Sequence, residues 1–265
     1  MKISEIIHAL EAVAPRNLQE SYDNSGLIVG DSDHEVTGVL VSLDTTPDVV
    51  NEARAKNCNL IVSHHPVIFK GLKQLTGNNY VEKTVIEAIR NNIAIYAIHT
   101  NLDNVLDSGV NGKIAEKLGL GECEILRSHP DHPEGVQFGA GVLGRLSRPM
   151  SEEEFLAHLK NRMQAHVIRH TRLTGKPVEM VAVCGGSGSF LLPDAIRSEA
   201  DFFVTGDFKY HEFFDAEDKI VIADIGHFES EQFTVELISE IITKNFPKFA
   251  PDSSERGTNP IIYYT

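Results

Sequence analysis

Three patterns in the chain pair side chains that bind metals. His64 and His65 are adjacent in Ser63-His64-His65-Pro66, His99 stands four residues before Asp103, and His227 stands four residues before Glu231. If a helical turn follows each of the last two histidines, positions i and i+4 face the same way and their donor atoms converge. Imidazole nitrogens with carboxylate oxygens form a ligand set for zinc, manganese or iron(II). Each pattern alone has a plainer reading. Adjacent histidines arise by coincidence, and a His-x-x-x-acid pair is often a cap or a surface pair. What points to a metal is their recurrence at corresponding places in the chain.

Those places are the ends of expected strands. Apolar β-branched runs predict strands at 26–29, 39–43, 60–63 and 93–98, with helices at 4–13, 46–56, 81–90 and 111–118 between them. Thr46 followed by Pro47 reads as an N-cap and first helical position. The order then begins again: a strand at 141–146, a capping box at Ser151–Glu154 opening a helix to 163, and strands at 166–170, 178–183, 202–205 and 220–223. Helices are expected at 191–199 and 230–244, with a short one after the 202–205 strand. Slid by 142 positions, Val39–His65 lies over Val181–Asp207 with apolar and polar positions in step. This reads as an internal repeat. The expectation is an α/β fold: two α/β repeats, 1–125 and 126–265, with mixed, largely parallel sheets and helices on both faces. Such sheets carry their working groups just past the C-terminal ends of strands, where all three patterns fall.

Composition narrows the function. The 265 residues fit one large domain or two small ones. With 38 acidic and 24 basic side chains the formal charge is −14, which argues against a grip on duplex nucleic acid or an anionic membrane. Three scattered cysteines, Cys58, Cys123 and Cys184, exclude a disulfide framework and a zinc ribbon and fit a reducing cytoplasm. No apolar run is long enough to span a bilayer, and the N-terminal stretch reads as an amphipathic helix and not a signal peptide. Twelve histidines in so acidic and cysteine-poor a chain favour a metal site.

The run Tyr22-Asp23-Asn24-Ser25-Gly26, the Ser-His-His-Pro, the His-Thr-Asn-Leu-Asp, the Thr205-Gly206-Asp207-Phe208-Lys209-Tyr210-His211 and the Gly226-His227-Phe228-Glu229-Ser230-Glu231 occur in this order. Together they resemble the dinuclear-metal-centre hexameric family. It is also called the GTP cyclohydrolase I type 2 homologues, or the NGG-one-interacting-factor-three-like proteins. The resemblance spans essentially the whole chain. It implies a homohexamer of chains whose two α/β repeats are intertwined, with two divalent ions per chain, zinc, manganese or iron, between the repeats. It makes His64, His65, Asp103, His227 and Glu231 the metal ligands, with Glu231 bridging both ions, and places His99 beside them as a weak ligand or proton carrier. The short connection between about Gly121 and Pro149 implies that this chain lacks the extra domain some members insert there.

Five protein ligands for two ions leave coordination positions open, the mark of a reactive site. The expected function is therefore a metal-dependent hydrolase acting on a nucleotide or another phosphate-bearing small molecule, GTP ring opening being what the family name suggests. The alternative is a non-catalytic metal-binding or regulatory hexameric assembly. Lesser candidates are Gly185–Gly188 as a phosphate cradle or merely a tight turn, and Asp207, Lys209 and His211 as substrate-binding or supporting groups. Asp23 and Asn24 stand either at a cavity wall or in a simple turn. His8, His34, His129, His132, His158, His166 and His170 read as surface or packing residues.

Overall fold

The computed structural model describes residues 1–129 and 138–264; His132 and most of the His/Pro/Gly stretch around it lie outside the described residues. Two compact units organise the chain. The first comprises Met1–Leu102 with Thr234–Ile262, the second Asp103–Phe233 with Tyr263–Thr265. Each unit is thus discontinuous in sequence, where the sequence reading draws a single cut after residue 125.

Strands β1 (Gly26–Val29), β2 (Val39–Ser42), β3 (Leu60–Ser63) and β4 (Ala94–Ala97) belong to the first unit. Strands β5 (Leu120–Ser128), β6 (Gly139–Met150), β7 (Arg169–His170), β8 (Val178–Ser187), β9 (Phe202–Gly206) and β10 (Val221–Asp224) belong to the second, and β11 (Asp252–Ser253) returns to the first. The sheet orders are β1-β4-β3-β2-β11 and β5-β6-β8-β9-β10-β7. In the first sheet only the β1–β4 pair is antiparallel. In the second, β8–β9 and β9–β10 are parallel, while β5–β6, β6–β8 and β10–β7 are antiparallel. Both sheets are therefore mixed.

The repeat is visible in the register. Val39 pairs with Leu60 across β2–β3, and Val181 pairs with Phe202 across β8–β9, each shifted by the same 142 positions. Leu60 pairs with Ala94 across β3–β4 and Phe202 with Val221 across β9–β10. Each unit thus holds a three-strand parallel core. In the first, Leu40, Ile61 and Ile95 are fully buried and pack with Val49, Val50 and Ala53. In the second, Ala182, Phe203 and Ile222 are fully buried and pack with Leu191 and Ala195. Each large apolar side chain so buried contributes about 1.5–3 kcal/mol.

The helices follow local signals. α1 (Ile3–Val13) buries Ile3, Ile6 and Leu10, the stripe expected of a half-buried helix. α2 (Pro47–Ala55) starts as expected, Thr46 accepting from the Val49 amide at 3.4 Å. α3 (Tyr80–Arg90) is capped by Asn79, α4 is the single turn Thr100–Asp103, and α5 (Val110–Leu118) ends on Gly119 at φ 73°. α6 (Glu152–Arg162) has both bonds of the Ser151 capping box, and α7 (Leu192–Arg197) follows a 3-10 turn at Ser189–Leu191.

Four expectations need correction. The helix expected over 230–244 is two helices, α8 (His227–Glu231) and α9 (Thr234–Asn245), because the chain passes from the second unit to the first there, α9 packing on α1. The Gln232 side chain marks the break, donating to Met163 O at 2.9 Å. The strand expected over 166–170 shrinks to the two residues of β7. β5, expected as connection, is a nine-residue edge strand, and the two-residue β11 was not expected. No helix among the described residues is long and apolar enough to cross a membrane.

Candidate functional site

The first unit gathers three imidazoles at the ends of β3 and β4. The ladder continues past Ser63, the His64 and His65 amides donating to Ser42 O and Leu43 O at 3.2 and 3.0 Å. His64 is fully buried, and its Nδ1 lies 2.8 Å from Ile98 O. A carbonyl can only accept, so Nδ1 carries a proton. His65 Nδ1 meets Asp44 Oδ1 at 2.7 Å, and His99 Nδ1 meets Asp23 Oδ1 at 2.8 Å. The ring centroids lie 4.9 Å apart for His64–His65, 5.2 Å for His64–His99 and 5.3 Å for His65–His99. One ring nitrogen from each of the three comes within 4.8 Å of the others.

The acceptors behind these rings are themselves fixed. The Asp23 side chain is fully buried and accepts from Ser25 Oγ at 2.9 Å, the Thr100 amide at 3.0 Å and the Asn24 amide at 2.7 Å. Burial works to raise its pKa, but His99, Thr100 and Asn24 outweigh it and hold the carboxyl well below the usual carboxylate range. Asp44 is lowered in the same way, burial opposing the His65 hydrogen bond that wins. The His99 amide donates to Asn101 Oδ1 at 3.0 Å, and Asn101 Nδ2 donates to Ala14 O at 2.7 Å, pinning α4 behind the ring.

The second unit offers one imidazole and carboxylates at the ends of β9 and β10. Asp207 follows β9 with φ 59°, and Gly226 at φ 96° turns the chain from β10 into α8. His227 Nδ1 lies 2.8 Å from Asp207 Oδ2, and its Nε2 lies 3.1 Å from Glu231 Oε2, the i, i+4 convergence expected of a helical turn. Burial works to lower the His227 pKa, but Asp207 and Glu231 push it up to about 11. Glu231 is buried. Asp103 opens this unit, its carbonyl accepting from Asn111 Nδ2 at 3.0 Å while Asn111 Oδ1 takes the Gly185 amide at 2.9 Å. Burial, with Asp103 and Glu231, pushes the Cys184 thiol up.

The glycine run has a packing reason. Gly186 has φ +62°, and a Cβ there would stand 2.4 Å from Glu231 Oε1; one on Gly185 would stand 3.2 Å from Glu231 Cγ. The Gly186 amide donates to Ser230 Oγ at 2.9 Å. These glycines make room for Glu231, and the turn needs no phosphate to account for it.

The lesser candidates separate. Asp207 orients His227, whereas Lys209 is exposed and reaches Glu212 at 3.7 Å, and His211 packs among Tyr210 and Phe214. Asp23 and Asn24 are more than a turn, since Asn24 Nδ2 also donates to Ile68 O at 2.7 Å. His158 bonds Leu118 O and His129 stacks on Phe138, both packing roles. Sequence reasoning overlooked Asp44. The available signal was an acidic residue two positions past a buried strand, on the side where strand ends carry function.

Imidazole and carboxylate donors, with each histidine's second nitrogen bonded to a carbonyl or carboxylate, fit divalent metal ions. The described residues therefore include histidine and acidic groups able to hold them.

The chain is 34% identical over 241 residues, 91% of its length and 89% of the relative's, to a protein of Clostridium acetobutylicum named GTP cyclohydrolase 1 type 2 homolog. It is 35% identical over 248 residues to one of the same name from Campylobacter jejuni, covering 93% and 94%. The crystal structure of Staphylococcus aureus hypothetical protein SA1388 matches with TM-score 0.92 at 32% identity, covering 100% of this chain and 99% of that one. The description of the family Duf34/NIF3 (NGG1p interacting factor 3) matches residues 1–260, and the chain belongs to that family.

Proposed function

We propose that this chain is a metal-dependent hydrolase acting on a nucleotide or another phosphate-bearing small molecule. Two divalent ions would be held by His64, His65, Asp103, His227 and Glu231, with Glu231 shared. The observation that carries this reading is the state of the four imidazoles. His64, His65, His99 and His227 each bond Nδ1 to a carbonyl or carboxylate at 2.7–2.8 Å, the outer support that metal-bound histidines use to fix tautomer and orientation. Ions bound there supply Lewis acidity, which polarises a phosphate or carbonyl oxygen and lowers the pKa of water.

The chain's own residues do the rest. Asp44 and Asp207 hold the rings of His65 and His227. Asp23 holds His99, whose Nε2 is the atom that gives or takes a proton during turnover. The names of the relatives support a nucleotide substrate, and hydrolysis of a phosphoester suits the same donors. The resemblance further supports a homohexamer working in the cytoplasm, the first of which light scattering of the purified protein measures directly.

The test begins with metal analysis of protein purified without chelator, which should give about two ions per chain. Manganese-, zinc- and iron-loaded protein is then assayed on GTP, other nucleotides and simple phosphoesters. Turnover should require metal and vanish in Asp103→Ala. A panel with no turnover above that variant would overturn the hydrolase reading in favour of the non-catalytic assembly.

A further inference from the structure

The loop that follows His65 has features that the metal ligands do not explain. Val67 is buried in the core of the first unit, and Ile68 is tied through its carbonyl to Asn24. At the far end, Glu82 accepts from the Thr76 amide at 2.9 Å, Thr76 Oγ1 at 2.8 Å and the Asn78 amide at 3.1 Å. Between these anchors the side chains turn outward. Phe69, Leu72 and Leu75 are 50%, 37% and 46% exposed. Phe69 meets the His99 ring edge-on, centroids 5.6 Å apart, so an exposed aromatic stands directly beside the imidazole cluster.

The charge of this loop is also unlike that of the chain. Residues 66–81 contain Lys70 and Lys73 and no acidic residue, in a protein of formal charge −14. Neither lysine has an ion-pair partner among the described residues; the ion pairs of the first unit's other lysines involve Lys2 and Lys56. Two unneutralised ammonium groups within four residues of an exposed aromatic form a local attraction for a planar, anionic ligand. Base stacking on an aromatic ring tolerates any base, while lysine pairs with phosphate as a point charge.

From this arrangement we infer that residues 69–73 form the nucleotide-binding arm of the site, Phe69 stacking the base and Lys70 and Lys73 pairing with the phosphates of a nucleoside di- or triphosphate. The inference rests on the hydrolase reading for where the chemistry happens, but binding can be measured without turnover. Asn24 acts here as a positioning residue. It fixes Ile68 while its neighbour Asp23 fixes His99, so one short segment sets both Phe69 and the ring beside it.

The chain contains no tryptophan, so Phe69→Trp places a single indole at the proposed contact. Its emission is titrated with GTP, ATP, inorganic triphosphate and guanosine, all in EDTA to remove metal. Saturable quenching by GTP and ATP is expected. Changing Lys70 and Lys73 together to Gln in the F69W protein should weaken GTP about tenfold or more and leave guanosine unchanged. Asn24→Ala should weaken GTP severalfold. Absence of quenching, or equal affinities with and without the lysines, would overturn the inference. So would emission that follows protein concentration and ignores nucleotide, which would make the loop a contact between copies of this chain. Quenching in a protein that turns over no nucleotide removes the hydrolase reading alone. Metal-dependent turnover indifferent to Phe69→Ala and to the lysine changes removes the arm alone.

Discussion

In the first unit the strands Leu60–Ser63 and Ala94–Ala97 end in His64, His65 and His99; in the second, the matching strands end in Asp207, His227 and Glu231. The 142-residue shift that aligns the strand registers lays His65 over Asp207 and Asp44 over Gly186. An imidazole in one unit is therefore matched by a carboxylate in the other, one that holds the His227 ring. Where the first unit uses Asp44 to hold His65, the second has a glycine, because Glu231 fills that space. One scaffold thus presents mainly imidazoles in one copy and mainly carboxylates in the other. The shared backbone register fixes where the groups stand, and a few substitutions decide what each does.

The largest expected effect follows from this division. If Glu231 is shared by two ions, Glu231→Ala should lower metal affinity by more than about 100-fold, well beyond what loss of an outer support costs. His99→Ala should keep the ions and slow turnover. Equilibrium dialysis followed by elemental analysis compares the two. Equal metal loss in both variants would erase the distinction between donor and proton carrier.

The supporting carboxylates should come next. Asp44→Asn and Asp207→Asn leave a group of similar shape but weaken the hold on His65 and His227, at about 10–100-fold in metal affinity. The Asp44 side chain is 34% exposed and that of Asp207 46%, so the Asp44 change should cost more. A larger loss at Asp207 would show that the His227 ring depends more on its supporting carboxylate than the His65 ring does.

Much of this was readable beforehand, for local reasons. β1 and β3 fall where β-branched runs predict them, and α2 and α6 start at their caps, because those signals act over three or four residues. β5 escaped because an edge strand whose sequence interleaves Glu122, Cys123 and Glu124 has no apolar face to reveal it. The α8–α9 break escaped because helical periodicity does not record which unit a turn belongs to. At the functional residues, spacing made His99–Asp103 and His227–Glu231 look alike. The structure gives His227 to Glu231 at 3.1 Å and anchors His99 on Asp23, 76 positions away in sequence. Pairings of that range leave no local trace, and the ligand set came from resemblance to a family, not from periodicity.

Gly186 tests the contrast from the side of packing. Gly186→Ala puts a non-glycine residue at φ +62°, which costs about 1–2 kcal/mol, and its Cβ would overlap Glu231 Oε1 at 2.4 Å. The variant should melt a few degrees lower without metal and also lose metal affinity, because the carboxylate must move. Gly175 has φ +76° but no atom within 4 Å of a built Cβ. Gly175→Ala should therefore show the backbone cost alone. Metal affinity that falls equally in both variants would deny Gly186 its role in seating Glu231.

The smallest effect concerns the loops, where the two units again use one device. Glu82 in the first accepts from Thr76 and Asn78, and Glu152 in the second accepts from Thr174 and Gly175. The backbone amides of Thr76 and Asn78 pull the Glu82 pKa from 4.5 down to about 2. A carboxylate depressed on folding stabilises the protein fully above its unfolded pKa and loses that contribution as pH falls toward the folded one. The stability tied to Glu82 is therefore intact above about pH 4.5 and fades between there and about pH 2. Thermal melts of metal-free protein across that window should fall more steeply in wild type than in Glu82→Gln, whose loop is already loosened at neutral pH. In the F69W background the same change should broaden the nucleotide titration, since it frees one anchor of the arm. Parallel melting curves would show that the Thr76–Asn78 turn holds its shape without the carboxylate, leaving Asn24 as the anchor that matters.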